Sequence, residues 1–413
     1  MTRDQEARRS DMAAPLDLFD GFHTRMRGVI LPFWISNGFM PRLGQFCERT
    51  NLKGDPVQDV PLRAMVQARQ IYVYSNAERT GEMKGGGEKA IQALAVLLER
   101  YSEDGDLKRG LAFSISPAGD IVSDVRDTYA HAFALFALAS AFRLTGDQKL
   151  FRATEALVAF IDDKLWDRQT GGLFDRYPDP GATKLQNPVM HMLEAYLALH
   201  EAWPEGGFLD RAADIVRLFR ERLFQPDLGV ILEKYRVDWT TELAPETFFE
   251  PGHQFEWAWL LAWYDRLAGT DHDHIRQQLW TSGCKGLIGP ALPCADEIAF
   301  DPGLSKRTSR AWPHAEGLKA AVIRHENGDP GAAAVLAGLL ATLDSFFLGT
   351  PFPAGWMDRV AANGDPIADV VPTSTLYHLY SAFKETTRVV TRETYSLDPT
   401  RGERAQHQSA AQE

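Results

Sequence analysis

Cysteine is scarce in this chain, and the few cysteines form no metal-binding or disulfide pattern. Only Cys47, Cys284 and Cys294 occur among the 413 residues. Their odd number excludes a fully paired disulfide framework, and none of them forms the closely spaced pairs that structural zinc sites use. We therefore expect neither disulfides nor a zinc centre.

Long hydrophobic runs and an excess of positive charge are also missing. No run of about 18 apolar residues occurs, as a membrane span would need, and the N-terminus lacks the apolar core of a signal peptide. Asp and Glu outnumber Lys and Arg by 56 to 44, which gives a net charge of −12 and argues against nucleic acid or a membrane surface as partner. We expect a cytoplasmic monomer or homodimer, with a disordered tail at 1–15 and a flexible tail at 391–413.

Several enzyme signatures are absent as well. The chain has neither the GxSxG of a serine hydrolase nor the HExxH of a zinc peptidase. The glycine run at 85–87 follows no strand and fits no phosphate-binding loop, so a flexible loop is the better interpretation. We expect no cofactor and no metal.

What the sequence does contain is helical periodicity. Apolar residues recur at steps of three and four in segments such as HAFALFALASAF, MHMLEAYLALHEAW and FEWAWLLAWYDRL. Strand alternation is rare, and only short stretches such as GLAFSIS (110–116) and GVILEKY (229–235) are expected to form small hairpins.

A polar residue recurs at the start of these helical segments every 60 to 64 residues. The six residues are Arg69, His131, His191, His253, His314 and His378. About sixty residues suit one helical hairpin with its loops, and such apolar inner helices must close into a ring. The repeat predicts a single all-α domain over 16–390, an (α/α)6 barrel, with the six residues converging at one mouth.

Histidines in one pocket suit proton abstraction beside a carbonyl, because the ordinary imidazole pKa of about 6.5 lies close to working pH. His253 and Glu256 are three residues apart, as are His191 and Glu194, so each pair shares a helix face. Among the remaining polar residues, Arg69 could stabilise an enediolate oxygen. The pocket would also use Asn187 to bind a hydroxyl and Trp312 to stack on a sugar face.

The segments that carry these residues resemble the N-acylglucosamine 2-epimerase family, which includes cellobiose 2-epimerases, mannose isomerases and mannose-6-phosphate isomerases of the non-zinc kind. The matching segments are ARQIYVYS, YAHAFALFALA, NPVMHMLEAYLAL, PGHQFEWAWLL, RAWPHAEGLKA and STLYHLYSAF, between about 60 and 385. The resemblance implies an (α/α)6 barrel that acts on a monosaccharide.

The resemblance also implies roles for individual residues. Arg69 would bind the oxygens near C1 and C2, and His253 and His378 would be the acid/base pair, with Glu256 supporting His253. Three further residues would bind the sugar and one aromatic residue would line the pocket: Tyr129, Asn187, His191 and, as the aromatic, Trp312. His314 stands where the family pattern has glutamine, which leaves its role and that of His131 open.

The reaction type stays open at this point. An epimerase needs bases on both faces of the sugar, whereas an isomerase can move a proton from C2 to C1 through a cis-enediol with one histidine. The segments around Trp312 and His378 resemble the mannose and mannose-6-phosphate isomerases, which favours an isomerase. Cations at Lys306, Arg307 and Arg310 could hold a 6-phosphate, and we include Arg310 among the substrate-binding residues. A glycoside hydrolase on the same barrel is a further alternative, with carboxylates drawn from Glu250, Glu256 and Asp124.

Overall fold

The apolar segments of the repeat all fold as helices. In the computed structural model, which describes residues 19–288 and 293–397, they form six helical hairpins. The inner helices are α2 (Ala64–Arg79), α4 (Thr128–Thr145), α6 (Gln186–Ala202), α8 (Pro251–Ala268), α10 (Ala311–Glu326) and α12 (Leu376–Leu397). The outer helices are α1 (Leu31–Asn37), α3 (Gly86–Arg100), α5 (Lys149–Phe160), α7 (Phe208–Leu218), α9 (Asp273–Cys284) and α11 (Ala332–Thr342).

The inner helices form a closed ring. Each contacts the next along the chain, and α12 contacts α2. In α4 every residue from Ala130 to Ala141 is buried, whereas the outer helix α7 alternates buried and exposed positions. A helix that is apolar on all sides needs neighbours on all sides, so the predicted (α/α)6 barrel is confirmed.

Short antiparallel strand pairs connect successive repeats at the N-terminal ends of the inner helices. The pairs are Leu62–Arg63 with Ser114–Ile115, Arg126–Asp127 with Arg176–Tyr177, Thr183–Leu185 with Lys234–Arg236, Phe248–Phe249 with Ile298–Ala299, Ser309–Arg310 with Arg359–Val360, and Val371–Pro372 with Arg49–Thr50. The last pair joins the sixth repeat to the first, so the backbone closes the ring. The remaining strands are Ile121–Ser123, which pairs with Ser114–Ile115, and two local hairpins, Phe39–Met40 with Gln45–Phe46 and Phe224–Gln225 with Val230–Ile231.

The structure also contains short π-helical and 3-10 turns. The π-helical turns are Met26–Ile30, Ile161–Leu165, Phe219–Leu223 and Leu343–Phe347, the last three directly after α5, α7 and α11. The 3-10 turns are Glu103–Gly105, Leu107–Arg109, Pro204–Gly206, Pro302–Leu304 and Thr373–Thr375. Both stretches predicted as hairpins, 110–116 and 229–235, contain strands as expected.

The ends of the chain differ in part from expectation. The predicted tail at 1–15 lies outside the described residues, while α12 continues to Leu397 and so includes the first residues of the segment predicted as a tail at 391–413. Cys47, Cys284 and Cys294 are free thiols, as expected. Among the described residues, no helix has both the length and the hydrophobicity to cross a lipid bilayer.

Candidate active site

Equivalent positions of the inner helices bring polar side chains together inside the ring. The sixth residue, counted from the first of each helix, is polar in four of them: Arg69, His191, Glu256 and Glu316. His378 takes the same position in the last repeat when the 3-10 turn before α12 is counted with it. All five side chains are buried.

Arg69 is held by aromatic residues and backbone. Its guanidinium lies 4.3 Å from the ring centre of Phe133 and 4.8 Å from that of Tyr377. One Nη donates to the Tyr129 hydroxyl at 2.5 Å and the other to the carbonyl of Ser374 at 3.3 Å. The guanidinium keeps its positive charge inside the ring, as the role predicted for Arg69 requires.

His191 is paired with the carboxylate that its spacing predicts. Its Nδ1 donates to Glu194 at 3.0 Å, and its Nε2 lies 4.0 Å from a Glu256 oxygen. Burial lowers the pKa of His191 to about 4 although Glu194 opposes the change. His191 is therefore neutral near pH 7, and its fixed tautomer leaves Nε2 free to accept a hydrogen bond.

His253 has a different carboxylate partner from the one predicted. Its Nδ1 donates to Glu233 at 2.8 Å and lies 3.9 Å from Glu250, so its hydrogen-bond partner is not Glu256, whose charge makes a smaller contribution to its pKa. His253 is the third residue of α8, and Glu233 reaches it from the bend just before the strand Lys234–Arg236. Burial disfavours the imidazolium, but the charges of Glu233 and Glu250 outweigh it and raise the pKa of His253 to about 9.

His378 has the opposite electrostatic environment. Its Nδ1 donates to Glu316 at 2.7 Å, and the other oxygen of Glu316 lies 2.5 Å from the ammonium of Lys319. Burial, followed by the positive charges of Arg69 and Lys319, lowers the pKa of His378 well below its ordinary value. At neutral pH His378 is therefore a neutral base, whereas His253 is a cation and an acid.

Several buried polar atoms in the ring have no hydrogen-bond partner among the described residues. They include the amide oxygen of Asn187, both carboxylate oxygens of Glu256 and the Nε of Arg69. Buried polar atoms of folded proteins are normally satisfied, so these atoms can bond a polar ligand. Burial, with the negative charges of Glu316 and Glu194, raises the pKa of Glu256 well above its ordinary value, and a neutral Glu256 can donate a hydrogen bond.

Trp312 forms the aromatic wall of this pocket. The centre of its ring lies 4.9 Å from that of His253 and 5.4 Å from that of His378. Gly252 allows this packing, since a Cβ there would lie 2.5 Å from the indole. The predicted pocket position of Trp312 thus places it against both candidate acid/base residues.

His131 and His314 do not join the pocket, so the predicted convergence of six residues is wrong for these two. Each is the fourth residue of its helix, where α2 and α8 have Gln67 and Gln254. The histidines bond the carbonyl four residues earlier through Nδ1 and accept the backbone N–H of Leu111 or Cys294 at 2.9 Å. The two glutamines bond the backbone of Phe46 and Ile231 in the same manner. This position fastens a loop to an inner helix.

Arg310 is already occupied by carboxylates. Its Nε donates to Asp296 and one Nη to Glu250, both at 2.8 Å. Lys306 is likewise paired, with Glu297 at 2.7 Å. Arg310 thus orients Glu250 beside His253, and its charge is not the free phosphate ligand that the sequence predicts.

In the part of the chain that the structure describes, three groups of side chains bring potential metal-binding atoms within 4.8 Å of one another. They are His191 with Glu194 and Glu256, Glu233 with Glu250 and His253, and Glu256 with Glu316 and His378. Protein cations already lie beside two of these groups, since Arg310 contacts Glu250 and Lys319 contacts Glu316. The expectation of a metal-independent site stays a prediction.

Sequence reasoning missed Glu233, Glu316 and Lys319 as site residues. Glu316 and Lys319 follow Trp312 on α10 at steps of four and three residues. This helical spacing could have indicated that they share a face with Trp312. Glu233 lies twenty residues before His253, in the bend just before the strand Lys234–Arg236, and nothing in local spacing connects the two.

Comparison with known proteins adds three findings. The family model described as N-acylglucosamine 2-epimerase (GlcNAc 2-epimerase) matches residues 44–382. A mannose-6-phosphate isomerase from Rhizobium meliloti (strain 1021) is 28% identical over 371 residues, covering 87% of this chain and 94% of that protein. Two solved structures share the fold with TM-scores of 0.80: cellobiose 2-epimerase from Bacillus thermoamylovorans (18% identical, covering 89% of this chain and 99% of that one) and D-mannose isomerase (19%, 90% and 97%).

Proposed function

The chain belongs to the N-acylglucosamine 2-epimerase family, and from this premise we propose that it is an aldose–ketose isomerase for a mannose-configured monosaccharide, free or 6-phosphorylated. The observation that carries the proposal is the contrast between His378, a neutral base, and His253, a protonated acid. Proton transfer beside a carbonyl requires a base and an acid in the same pocket.

The chemistry follows from the positions of the two histidines. In the open-chain aldose, Nε2 of His378 removes the proton from C2, and the electron pair of the C–H bond forms the C1–C2 double bond of the enediolate. Arg69 stabilises the negative charge that develops on O1. His378 then returns the proton to C1, protonated His253 donates its proton to O1, and O2 gives its own proton to His253 and becomes the ketone oxygen. His253 supplies the proton for ring opening and for exchange between O1 and O2.

The remaining pocket residues would hold the sugar. Asn187 and neutral Glu256 offer an acceptor and a donor that the protein does not itself satisfy. His191 offers a free Nε2, and Trp312 offers an apolar face. Tyr129 fixes the Arg69 guanidinium through its hydroxyl.

A 2-epimerase is the alternative that the same pocket allows, because protonated His253 could return a proton to the other face of C2. The isomerase is favoured by the relative that covers most of the chain, which is named a mannose-6-phosphate isomerase. A glycoside hydrolase is disfavoured, since Glu250 is bound by Arg310 and the largely exposed Asp124 by Arg126.

The test follows mannose, mannose 6-phosphate, glucose, N-acetylglucosamine and cellobiose by proton NMR in deuterated water, with and without EDTA. We expect fructose or its phosphate to form, with deuterium entering C1 in each turnover in which the proton on His378 exchanges with solvent before its return, and the rate to be unchanged by EDTA. The His378→Gln variant serves as the inactive control. A C2 epimer carrying deuterium at C2 without any ketose would identify an epimerase instead, and complete loss of activity in EDTA would contradict a metal-independent reaction.

A further inference from the structure

We propose that Lys319 is a positioning residue for His378: its ammonium keeps Glu316 an anion, and Glu316 in turn keeps the imidazole in the tautomer that presents a basic Nε2 to the substrate. The inference deepens the proposed function, because it rests on His378 being the base.

Lys319, Glu316 and His378 are connected by one ion pair and one hydrogen bond. Lys319 and Glu316 lie one turn apart on α10, with Nζ 2.5 Å from one carboxylate oxygen. The other oxygen of Glu316 accepts the Nδ1–H of His378 at 2.7 Å. One carboxylate therefore connects the ammonium to the imidazole, and a proton on Nδ1 leaves the lone pair on Nε2.

Burying the Lys319 ammonium costs free energy unless negative charges nearby compensate for the loss of water. Its side chain has no exposed surface, and its Nζ lies 3.7 Å from the ring centre of Trp259. A lysine is almost never fully buried without a partner. Burial alone would lower the pKa of Lys319, but Glu316, Glu256 and Glu194 together raise it, so the ammonium stays charged.

Charged and titratable groups of every packed inner helix contribute to the same balance. Those facing His378, Glu316 and Lys319 are Arg69 on α2, His191 and Glu194 on α6, and Glu256 on α8. Burial raises the pKa of Glu316, and the crowding of three carboxyl groups in one buried space also favours protonation. Lys319 is the cation within ion-pair distance of Glu316 that opposes this protonation.

Loss of the Lys319 ammonium would reverse the direction of the hydrogen bond between Glu316 and His378. Glu316 would take up a proton, and its O–H would donate to Nδ1 of His378. The imidazole proton would then sit on Nε2, which could no longer accept the proton of C2. The pair would regain its active form only at a pH high enough to remove the extra proton.

The experiment compares the pH dependence of kcat and KM for the wild type, Lys319→Met and Lys319→Arg. For Lys319→Met we expect kcat at neutral pH to fall at least about ten-fold and the acidic limb of the kcat profile to move up by about one to three pH units. Activity should recover toward the wild-type value as the pH rises above the displaced acidic limb, up to the alkaline limb that His253 sets near pH 9, with KM changed less than kcat. Lys319→Arg should keep the wild-type limb.

Lys184→Met is the matched control, because Lys184 is also buried, is paired with Asp167 at 2.6 Å and packs on Trp239. It should lower stability without moving the pH limb. A loss of kcat in Lys319→Met that is the same at every pH, or an unmoved acidic limb, would overturn the proposal.

A second measurement needs neither a substrate nor a Lys319 variant. In 15N-histidine NMR of the wild type, with the His378 signal identified by its absence in His378→Gln, we expect the Nδ1–H tautomer at neutral pH. Finding the Nε2–H tautomer would overturn the role of Lys319 directly. If the tautomer is as expected but no sugar is converted, the proposed function fails while the positioning of His378 by Glu316 and Lys319 stands.

Discussion

His253 and His378 pack against the same indole ring, that of Trp312, yet they differ in charge at neutral pH. Two carboxylates surround the Nδ1 of His253, whereas the single carboxylate of His378 is shared with a lysine. The two carboxylates raise the pKa of His253 to about 9, whereas burial and the charges of Arg69 and Lys319 lower that of His378 well below 6.5. The site thus contains an acid and a base built from the same residue type.

This contrast predicts the pH profile of the wild-type enzyme. Activity requires neutral His378 and protonated His253, so kcat should be level from about pH 7 to pH 8 and fall as His253 loses its proton near pH 9. Initial rates across overlapping buffers measure the profile, with circular dichroism confirming that the fold persists at high pH. A rate that keeps rising through pH 10 would contradict the assignment of His253 as the acid.

Glu233 and Glu256 can be compared directly as partners of His253. Removing the hydrogen-bonded charge with Glu233→Gln should lower the pKa of His253 and move the alkaline limb down by about one to three pH units. Glu256→Gln is the isosteric control: it should weaken turnover or sugar binding, since neutral Glu256 is the proposed donor to the substrate, with a smaller shift of the limb. Equal shifts in the two variants would show that proximity rather than the hydrogen bond sets the pKa.

The sequence predicted the fold well because the signal lies in its period. Six apolar hairpins of about sixty residues can bury their inner faces only in a ring, and the strand pair Val371–Pro372 with Arg49–Thr50 makes that closure visible. The period also placed Arg69, His191 and His378 correctly on the inside of the ring. It did not separate the sixth position of an inner helix from the fourth, and His131 and His314 were grouped with the pocket for that reason.

The partners of the histidines were harder to predict. His191 and Glu194 are three residues apart on one helix and do form a hydrogen bond. The same spacing in His253 and Glu256 forms none, because Nδ1 of His253 bonds to Glu233, which lies just before the strand Lys234–Arg236. A partner from another element depends on tertiary packing, which local spacing does not encode.

His131 and His314 should make folding stability depend on pH. Burial lowers the pKa of each to about 4, whereas an unfolded histidine titrates near 6.5. Between these values the unfolded chain binds more protons, so their contribution, roughly 3 kcal/mol each at pH 7, is complete above about pH 6.5 and is lost as the pH falls toward 4.

Glutamine should replace both histidines, since Gln67 and Gln254 already serve at this position. The His131→Gln/His314→Gln variant should keep its activity and show a smaller loss of unfolding free energy between pH 6.5 and pH 4, measured by urea denaturation. Replacement by alanine should instead cost about 1–3 kcal/mol for each unsatisfied buried N–H even at pH 8. A glutamine variant as unstable as the alanine variant would contradict the fastening role.

Substitution of Arg310 can show whether this residue binds a substrate phosphate or positions the carboxylates beside His253. Its guanidinium bridges Asp296 and Glu250, and Glu250 lies 3.9 Å from His253. Arg310→Met should therefore reduce kcat for mannose and for mannose 6-phosphate by the same factor, because it disturbs the carboxylates beside the acid. Separate kcat and KM values for the two sugars measure the effect. A rise in KM confined to the phosphorylated sugar would instead restore Arg310 as a phosphate ligand.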